Sequence, residues 1–246
     1  NQIYKFIDTI KAHINDVCIV NGKFRTRSND LKCIFETEFP FLKTANFIIG
    51  NINYNAKKLS GLNKKIDINI SIDDKHVAFS DQTLKINLDN VNPKYCDNKF
   101  IPDKEMNDKY LSNIDSNRPY IRETIRKTEL SRIIKVTRRF NTMTIAFKHE
   151  KNNLDKGYLF ICEKNSSGNK IKNICEYSLK LKKKFLIPMK KDHYFNASYT
   201  PFVLNKSDLE LNFYHHKTEN IIFLIYHIVI SGLQVNIYGH AKYIKD

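Results

Sequence analysis

Apolar residues recur along the first third of the chain with two different spacings. A spacing of three to four residues, typical of a helix with one buried face, occurs over residues 2–13 and 52–61. A spacing of two residues, typical of half-buried antiparallel strands, occurs over 66–72, 77–79 and 84–88. Shorter strand-like stretches lie at 17–20, 23–27, 31–36 and 46–50, and Asn21-Gly22 is a hairpin signal. This pattern predicts a domain of two helices and several hairpin strands.

The periodic pattern stops after Asp89. Pro93, Pro102 and Pro119 punctuate a polar stretch without a sustained period, which is typical of a linker. We therefore predict a first domain over residues 1–89, an interdomain linker over 90–119 and a second domain over 120–246.

The second half repeats the order of elements of the first. A strand at 120–125 and a helix at 128–140 are followed by strands at 142–148, 157–163 and 173–182. After an extended basic loop at 182–194 we expect a strand at 199–204 and a short helix near 205–212, with Asn205 as its N-cap. Strands at 219–230, 233–238 and 241–245 close the chain. The matching order of elements indicates an internal duplication and an α+β fold of two similar domains.

The predicted helix 128–140 has an unusual polar face. Its apolar side holds Leu130, Ile133, Ile134 and Phe140, and its polar side holds the cations Arg132, Lys135, Arg138 and Arg139. Solvated helices usually mix charges, because Glu and Lys four residues apart stabilise each other. The one acid, Glu129, lies in the first turn, where it complements the helix dipole. Such a face suits a polyanion, and the alternative is a solvated face in a basic protein.

The composition is that of a basic protein and favours an acidic partner. The net charge of +15 points to nucleic acid, an acidic membrane surface or an acidic protein. The longest apolar run, 221–230, is too short to span a membrane, so no membrane association is expected. Five dispersed cysteines and the absence of a signal-like N-terminus predict a reduced, intracellular location, in the cytoplasm or nucleus of the source or host cell.

Motifs of catalysis are missing from the sequence. It contains no phosphate-binding glycine loop, nucleophile elbow or metal-ligand spacing of Cys and His, so neither enzyme activity nor a metal or cofactor is expected. Adjacent histidines on a strand or turn point apart, so His215-His216 is expected to lie at the surface and not to form a metal site. Asp73-Asp74 is expected to form the turn between two strands.

Several stretches, taken in this order, resemble DNA sliding clamps of the proliferating cell nuclear antigen and tailed-phage type. NFIIGNINYNAKKLSGL (46–62) is similar to the strand-into-helix step of the first clamp domain, and IDINISIDDKHVAFSDQTLKINL (66–88) to its next three strands. ELSRIIKVTRRFNTMTIAF (129–147), TPFVLNKSDLELN (200–212) and LQVNIYGHAKYI (233–244) resemble second-domain segments. The resemblance implies a DNA-clamp fold with antiparallel sheets outside and two helices per domain on the inner face.

The same resemblance implies a function and its partners. The chain would be a processivity factor, a homotrimeric ring that encircles double-stranded DNA without sequence preference and tethers DNA polymerase, a clamp loader and other replication or transcription proteins. Cations that would line the hole are Lys5, Lys11, Lys57, Lys58, Arg132, Lys135, Arg138, Arg139 and Lys206.

Two further sites follow from the resemblance. A partner peptide would bind beside the linker, near the apolar residues Val91, Tyr95, Phe100, Ile101 and Tyr110; alternatively, these residues pin the linker to its own domain. Subunits would join head to tail through paired strands that carry Leu84, Ile86 and Leu88 on one side and Cys175, Tyr177, Leu179 and Leu181 on the other.

Two other functions agree with the same sequence. One is a clamp-fold accessory or transcription factor that does not encircle DNA. The other is a basic viral β-protein that coats nucleic acid. Solution mass separates them from a ring, which should have about three times the chain mass.

Overall fold

The computed structural model describes residues 2–63, 65–91, 100–112, 121–138, 143–150, 153–163, 176–180, 193–215 and 222–239. The chain divides into two compact units. Unit 1 contains Asn1–Asp103 together with Val229–Asn236, and unit 2 contains Lys104–Ile228 together with Ile237–Asp246.

Unit 1 is built from two helices and seven strands of the first part of the chain. In order these are α1 (Gln2–Ile10), β1 (Val17–Val20), β2 (Lys23–Arg27), β3 (Cys33–Glu38), β4 (Asn46–Ile49), α2 (Ile52–Leu59), β5 (Asn69–Ile72), β6 (His76–Ser80) and β7 (Lys85–Asp89). A single 3-10 turn, Pro40–Leu42, lies between β3 and β4. Both predicted helices and all the predicted strands of this part are confirmed, with ends shifted by a few residues.

The strands of unit 1 form antiparallel sheets. One runs in the order β4-β1-β2-β3, and the other in the order β5-β6-β7. The predicted hairpin is present: Ile19 pairs with Phe24, and Asn21 and Gly22 both have positive φ, as the tight turn requires.

The hairpin Val229–Asn236 belongs to unit 1 as well. Its strand β15 (Leu233–Gly239) is the neighbour of β3. The Thr37 hydroxyl donates to the carbonyl of Gln234 at 2.7 Å, and the Gln2 side-chain amide donates to the carbonyl of Ser231 at 3.3 Å.

Aromatic side chains form the centre of the unit 1 core. Phe6 of α1 meets Phe24 and Phe39 edge to face, with ring centroids 5.0 and 5.4 Å apart. The predicted apolar stripe of α1 is fully buried, and α1 contacts α2. Their polar faces therefore remain for solvent or a ligand.

After a first helix and strand, unit 2 follows the order of unit 1, which is a helix, four strands, a helix and further strands. A short helix α3 (Asp103–Met106) and a π-helical turn (Asn107–Leu111) come first. They are followed by β8 (Ile121–Ile125), α4 (Lys127–Thr137), β9 (Met143–Glu150), β10 (Asn153–Glu163), β11 (Glu176–Lys180), β12 (His193–Ala197), α5 (Thr200–Leu204), β13 (Leu209–His215) and β14 (Ile222–Ile230). The strands are arranged in the orders β8-β13-β14 and β12-β9-β10-β11, and α4 contacts α5.

The predicted assignment of residues 199–212 was wrong. Residues 200–204 form helix α5, which begins with Thr200 and Pro201, and residues 209–215 form strand β13. Leu209, Leu211 and Phe213 alternate and are buried, so a period of two prevails over the predicted helix. Asn205 follows the end of α5 and is therefore not an N-cap.

Two other stretches differ from the prediction. Residues 193–197, of which 193 and 194 were predicted to lie in a loop, form β12, which pairs with β9. The predicted linker contains α3, which buries Met106. Residues 139–142, 181–192 and 240–246 lie outside the described residues, so the predictions for Arg139, Phe140 and strand 241–245 are not addressed.

Candidate nucleic-acid interface

Helix α4 presents the cationic face that the sequence predicted. Leu130, Ile133 and Thr137 are buried, whereas Arg132 and Lys135 are exposed. Neither of these cations has an acidic partner in the described part of the chain. Within that part of the chain, ion pairing does not offset their charge, which leaves it available to an external anion.

The acids near α4 bind its backbone rather than its cations. The Asp208 carboxylate accepts the backbone N–H of Lys127 at 2.8 Å, and Glu129 accepts that of Arg126 at 3.4 Å. Both contacts satisfy donors at the N-terminus of the helix, where negative charge is favourable. Arg126 and Lys127 are themselves exposed. Sequence reasoning missed these two cations because it began the helix at residue 128, although the Arg-Lys dipeptide directly precedes that residue.

Two hydrogen bonds fix the C-terminal half of α4. The Tyr199 hydroxyl donates to the carbonyl of Ile134 at 3.1 Å, and the Thr137 hydroxyl donates to that of Ile133 at 2.8 Å. Burial raises the pKa of Tyr199, against the opposing effect of the Arg138 charge. Tyr199 therefore stays protonated as a donor, while Arg138 remains exposed on the same helix as Arg132.

In the described part of the chain, α1 and α2 carry fewer exposed cations without a side-chain partner than α4. Lys5 of α1 and Lys57 of α2 are exposed. Lys58 lies over the ring of Tyr54, 4.7 Å from its centroid, and Tyr54 is 57% exposed. Lys11 forms an ion pair with Asp8 at 2.6 Å, which offsets its charge. Lys57 and Lys58 also complement the dipole at the C-terminal end of α2, and this structural role needs no ligand.

The last predicted cation, Lys206, does not lie on a helix. It is exposed in the bend between α5 and β13, because the predicted helix 205–212 is a strand. Of the predicted cations in the described part of unit 2, Arg132, Lys135 and Arg138 therefore lie at α4, and Lys206 lies in a loop.

Residues predicted to bind a partner peptide already pack against unit 1. Val91 and Phe100 are half-buried against Cys18 and Ile48, and Ile101 is buried. This geometry favours the alternative in which these residues fasten the linker. Tyr95 lies outside the described residues, and for Tyr110 only the backbone, in the π-helical turn, is described.

Arg25 fastens the same segment through its side chain. Its Nη2 lies 2.5 Å from Glu36 Oε2, and its Nη1 donates to the carbonyl of Ile101 at 2.8 Å and to Asp103 at 2.9 Å. The guanidinium lies 5.6 Å from the ring centroid of Phe100. The hydrogen bond from Arg25, together with its charge, holds the pKa of Asp103 below its usual range. Residues 100–103 are therefore held against β2 and β3.

The strands predicted to join subunits both lie at sheet edges among the described strands. β7 ends the three-stranded sheet of unit 1, and β11 ends the four-stranded sheet of unit 2. Leu84 is 40% exposed, Ile86 is half-buried and Leu88 is buried. Tyr177 and Leu179 pair with Ile161 and Leu159 of β10 through their backbones. Cys175 and Leu181 lie outside the described residues.

The described part of the chain has neither a metal-binding cluster nor a membrane-spanning helix. No group of three or more His, Cys, Asp or Glu residues could hold a metal ion there. No helix within it is long and apolar enough to cross a membrane.

Comparison with known proteins establishes the fold. No protein-family model matches the chain, and no curated protein matches its sequence. The chain is similar in structure to proliferating cellular nuclear antigen from Entamoeba histolytica, with 13% identity, a TM-score of 0.59 and coverage of 98% of this chain and 95% of that chain.

Two bacterial proteins share the fold over most of this chain. Caulobacter crescentus pol III beta is 11% identical with a TM-score of 0.58, and a protein described as a DNA polymerase III beta subunit from Eubacterium rectale is 11% identical with a TM-score of 0.60. The matches cover 99% and 100% of this chain but 65% and 63% of those chains. At these identities the likeness concerns the fold alone, and it confirms the predicted DNA-clamp fold.

Proposed function

We propose that this protein is a ring-shaped sliding clamp, a processivity factor that encircles duplex DNA and holds a polymerase on it. The exposed face of α4 carries the proposal: in a chain with the DNA-clamp fold, Arg132 and Lys135 are exposed and have no acidic partner among the described residues. The function requires no catalytic step. A protein in this role works inside the cell, where DNA is copied.

The proposed DNA contacts are electrostatic. Lysine and arginine side chains bind phosphates, which recur along every duplex, so the contacts give affinity without sequence preference and permit sliding. Arg132, Lys135 and Arg138 would be the main contacts in unit 2, with Lys5 and Lys57 in unit 1. We assign Lys11 a smaller contribution, because Asp8 offsets its charge.

The ring would close by pairing of β7 of one protomer with β11 of the next. An unpaired edge strand exposes backbone donors and acceptors that favour association, and among the described strands both lie at an edge. Because the two edges differ, their pairing is head to tail, which generates a closed ring when the rotation allows it. Three copies are proposed, as in the two-domain clamps that the sequence resembles.

Partner proteins in this proposal are a DNA polymerase and a clamp loader. They would bind beside residues 90–119, where a partner peptide could contact Tyr95 or Tyr110. Ile101 is buried and Phe100 is half-buried, so these two side chains offer less surface to such a peptide.

Charge reversal tests the DNA face. The variant Arg132→Glu/Lys135→Glu should weaken binding equally across duplex sequences and reduce the salt slope by up to about two phosphate equivalents per protomer. A control, Lys43→Glu/Lys104→Glu, makes the same charge change at exposed lysines outside α1, α2, α4 and α5. Fluorescence anisotropy over a salt series measures both. An equal loss of slope in the control, or loss for one sequence only, would refute the assignment.

Solution mass tests the ring. Light scattering should give about three times the 29.0 kDa of the chain. Asn87→Pro removes a backbone donor from the outer side of β7, because Asn87 forms a non-hydrogen-bonded pair with Ala78 and its N–H points away from β6. The variant should give folded, β-rich monomers that no longer support processive synthesis. Ile70→Pro is the matched control, because Ile70 of β5 also forms a non-hydrogen-bonded pair, with Phe79, and its N–H points away from β6 on the opposite side of this sheet.

Three outcomes of this measurement are informative. A monomeric wild-type protein would favour the accessory-factor alternative, and a mass that grows with DNA length would favour the coating protein. If Asn87→Pro stays trimeric, the protomers join through other strands. Leu84→Glu changes a 40% exposed side chain without removing a backbone donor, so it separates loss of the contact between protomers from loss of the fold.

A further inference from the structure

A groove of about 840 Å³ lies in unit 1, outside both the helices and the segment around residue 100. Phe41 and Leu42, at the 3-10 turn, line one side of it. Ile72, Asp73 and Asp74, at the turn between β5 and β6, line the other side. Its volume falls in the range of about 300–1,000 Å³ that is usual for binding sites.

The first side of the groove is preorganised. The backbone N–H of Phe39 donates to the carbonyl of Gly22 at 2.8 Å, and that of Leu42 donates to the carbonyl of Phe39 at 2.8 Å. The ring of Phe41 packs on that of Phe39 with centroids 5.8 Å apart. Phe39 is buried, whereas Phe41 is 56% exposed. A large apolar side chain is therefore held in place at the surface.

The second side is preorganised as well. Asp73 Oδ1 accepts the backbone N–H groups of Lys75 and His76 at 2.8 and 2.6 Å. The side chain of Asn90 donates to the carbonyl of Asp73 at 2.9 Å and accepts the N–H of Ile48 at 3.1 Å, which ties this turn to β4. The two backbone hydrogen bonds lower the pKa of Asp73, so it is ionised at neutral pH.

The charge of the groove is opposite to that of the protein. Asp73 and Asp74 are its ionisable lining residues, in a chain with a net charge of +15. Two carboxylates repel phosphates, which disfavours DNA as the occupant. Lys43 and Lys75 are neighbours in sequence but do not line the groove. A complementary occupant therefore combines positive charge with an apolar group that can cover Phe41.

We propose that this groove binds a short peptide of a partner protein, in which an apolar side chain lies next to lysine or arginine. The apolar side chain packs on Phe41 and Leu42, and the cation pairs with Asp73 and Asp74. The site is independent of the DNA face and of ring closure, because none of its residues belongs to either.

Peptide binding to the full-length protein tests the proposal. The probe is a fluorescein-labelled peptide, Ser-Lys-Arg-Leu-Phe-Lys-Arg-Ser. In one control peptide Glu replaces each cation, and in another Ser replaces Leu and Phe. Anisotropy should show binding of the probe, and neither control should bind as tightly.

Variants locate the binding. Phe41→Ser should weaken the probe about tenfold, the loss typical of an apolar anchor at an interface. Asp73→Asn/Asp74→Asn should weaken it about twofold to tenfold, as expected for exposed ion pairs, while Asn keeps the acceptor of the turn. Leu31→Ser and Asp67→Asn are matched controls, because both residues are exposed and outside the groove. They should leave the affinity unchanged.

Several results would overturn the proposal. These are failure of the probe to bind the wild-type protein, equal losses in the control variants, and equal binding of the Glu peptide. A lower solution mass for Phe41→Ser would show instead that the groove is a contact between copies of this chain. Because the DNA salt slope should not change in any of these variants, failure here is distinguishable from failure of the proposed clamp function.

Discussion

Replacing Arg25 by Met should destabilise unit 1 strongly. Met keeps much of the apolar stem of Arg25 but removes its charge and its donors. The Arg25 side chain is 3% exposed and that of Glu36 is 16% exposed, so the change removes a cation from beside a largely buried carboxylate. The carbonyl of Ile101 loses its donor at the same time.

The expected magnitude follows from burial. Breaking a buried ion pair by removing one partner costs about 3–5 kcal/mol, because an uncompensated charge remains. The Asp103 side chain is 65% exposed, and an ion pair so accessible to water contributes at most about 1 kcal/mol. We therefore expect the pair with Glu36 to account for most of the loss, and Asp103→Asn alone to cost little.

Double-mutant cycles measure the two contributions separately. The single variants Arg25→Met, Glu36→Gln and Asp103→Asn and the two double variants are unfolded in urea and followed by circular dichroism, since the chain contains no Trp. Hydrogen exchange of the β2 and β3 amides localises the effect to unit 1. The coupling of Arg25 to Glu36 should be about 1–3 kcal/mol, and its coupling to Asp103 should be smaller.

Either of two results would refute this reasoning. One is a coupling to Asp103 that equals or exceeds the coupling to Glu36, and the other is a total loss below about 1 kcal/mol for Arg25→Met. Acid gives an independent check. The pKa of Asp103 is lowered in the folded state, so its contribution is present above its unfolded pKa and is lost as the pH falls further. The difference between wild type and Asp103→Asn should therefore shrink in acid.

Two further predictions concern turns of unit 1. Gly22→Ala should cost about 1–3 kcal/mol in urea unfolding, because φ is +74° and a Cβ would lie 3.0 Å from the carbonyl oxygens of Phe39 and Leu42. Gly232 has a similar φ of +79° but more space around a Cβ, so Gly232→Ala should destabilise the protein less. Equal losses of stability in the two variants would show that the clash at Gly22 is not the cause. Asp81 should titrate near pH 2 by NMR, because backbone hydrogen bonds lower its pKa to about 2; a midpoint near 4 would contradict this. Its contribution to stability is present above the unfolded pKa and is lost as the pH falls towards 2.

Local patterns predicted most of the fold. The stripe of α1, the Asn21-Gly22 hairpin and the faces of α4 each depend on neighbouring residues, and each was confirmed. The prediction for residues 199–212 was wrong because the five residues of α5 are too few to show a helical period. The helix α3 was missed because Met106 is the one apolar position in its sequence, Asp103–Met106.

The candidate site was only partly predictable for the same reason. Exposure of Arg132 and Lys135 follows from the period of one helix. The pairing of Lys11 with Asp8 was open to prediction from their spacing, because residues three apart are neighbours on a helix. Contacts between segments that are distant in sequence could not be predicted in this way. Arg25 and Asp103 are 78 positions apart, so no local spacing shows that the middle of the predicted linker is fastened to β2.

The hairpin Val229–Asn236 has a consequence for how the chain folds during synthesis. Thr37 and Gln234, which bond across β3 and β15, are separated by 197 positions, and Gln2 and Ser231 by 229. At about 5–20 residues per second, a ribosome needs roughly 10–40 s to make the sequence between Thr37 and its partner. During that time the edge of β3 has no neighbouring strand, which is a hazard for aggregation. Unit 1 is thus first in sequence but cannot be completed until translation has passed residue 236.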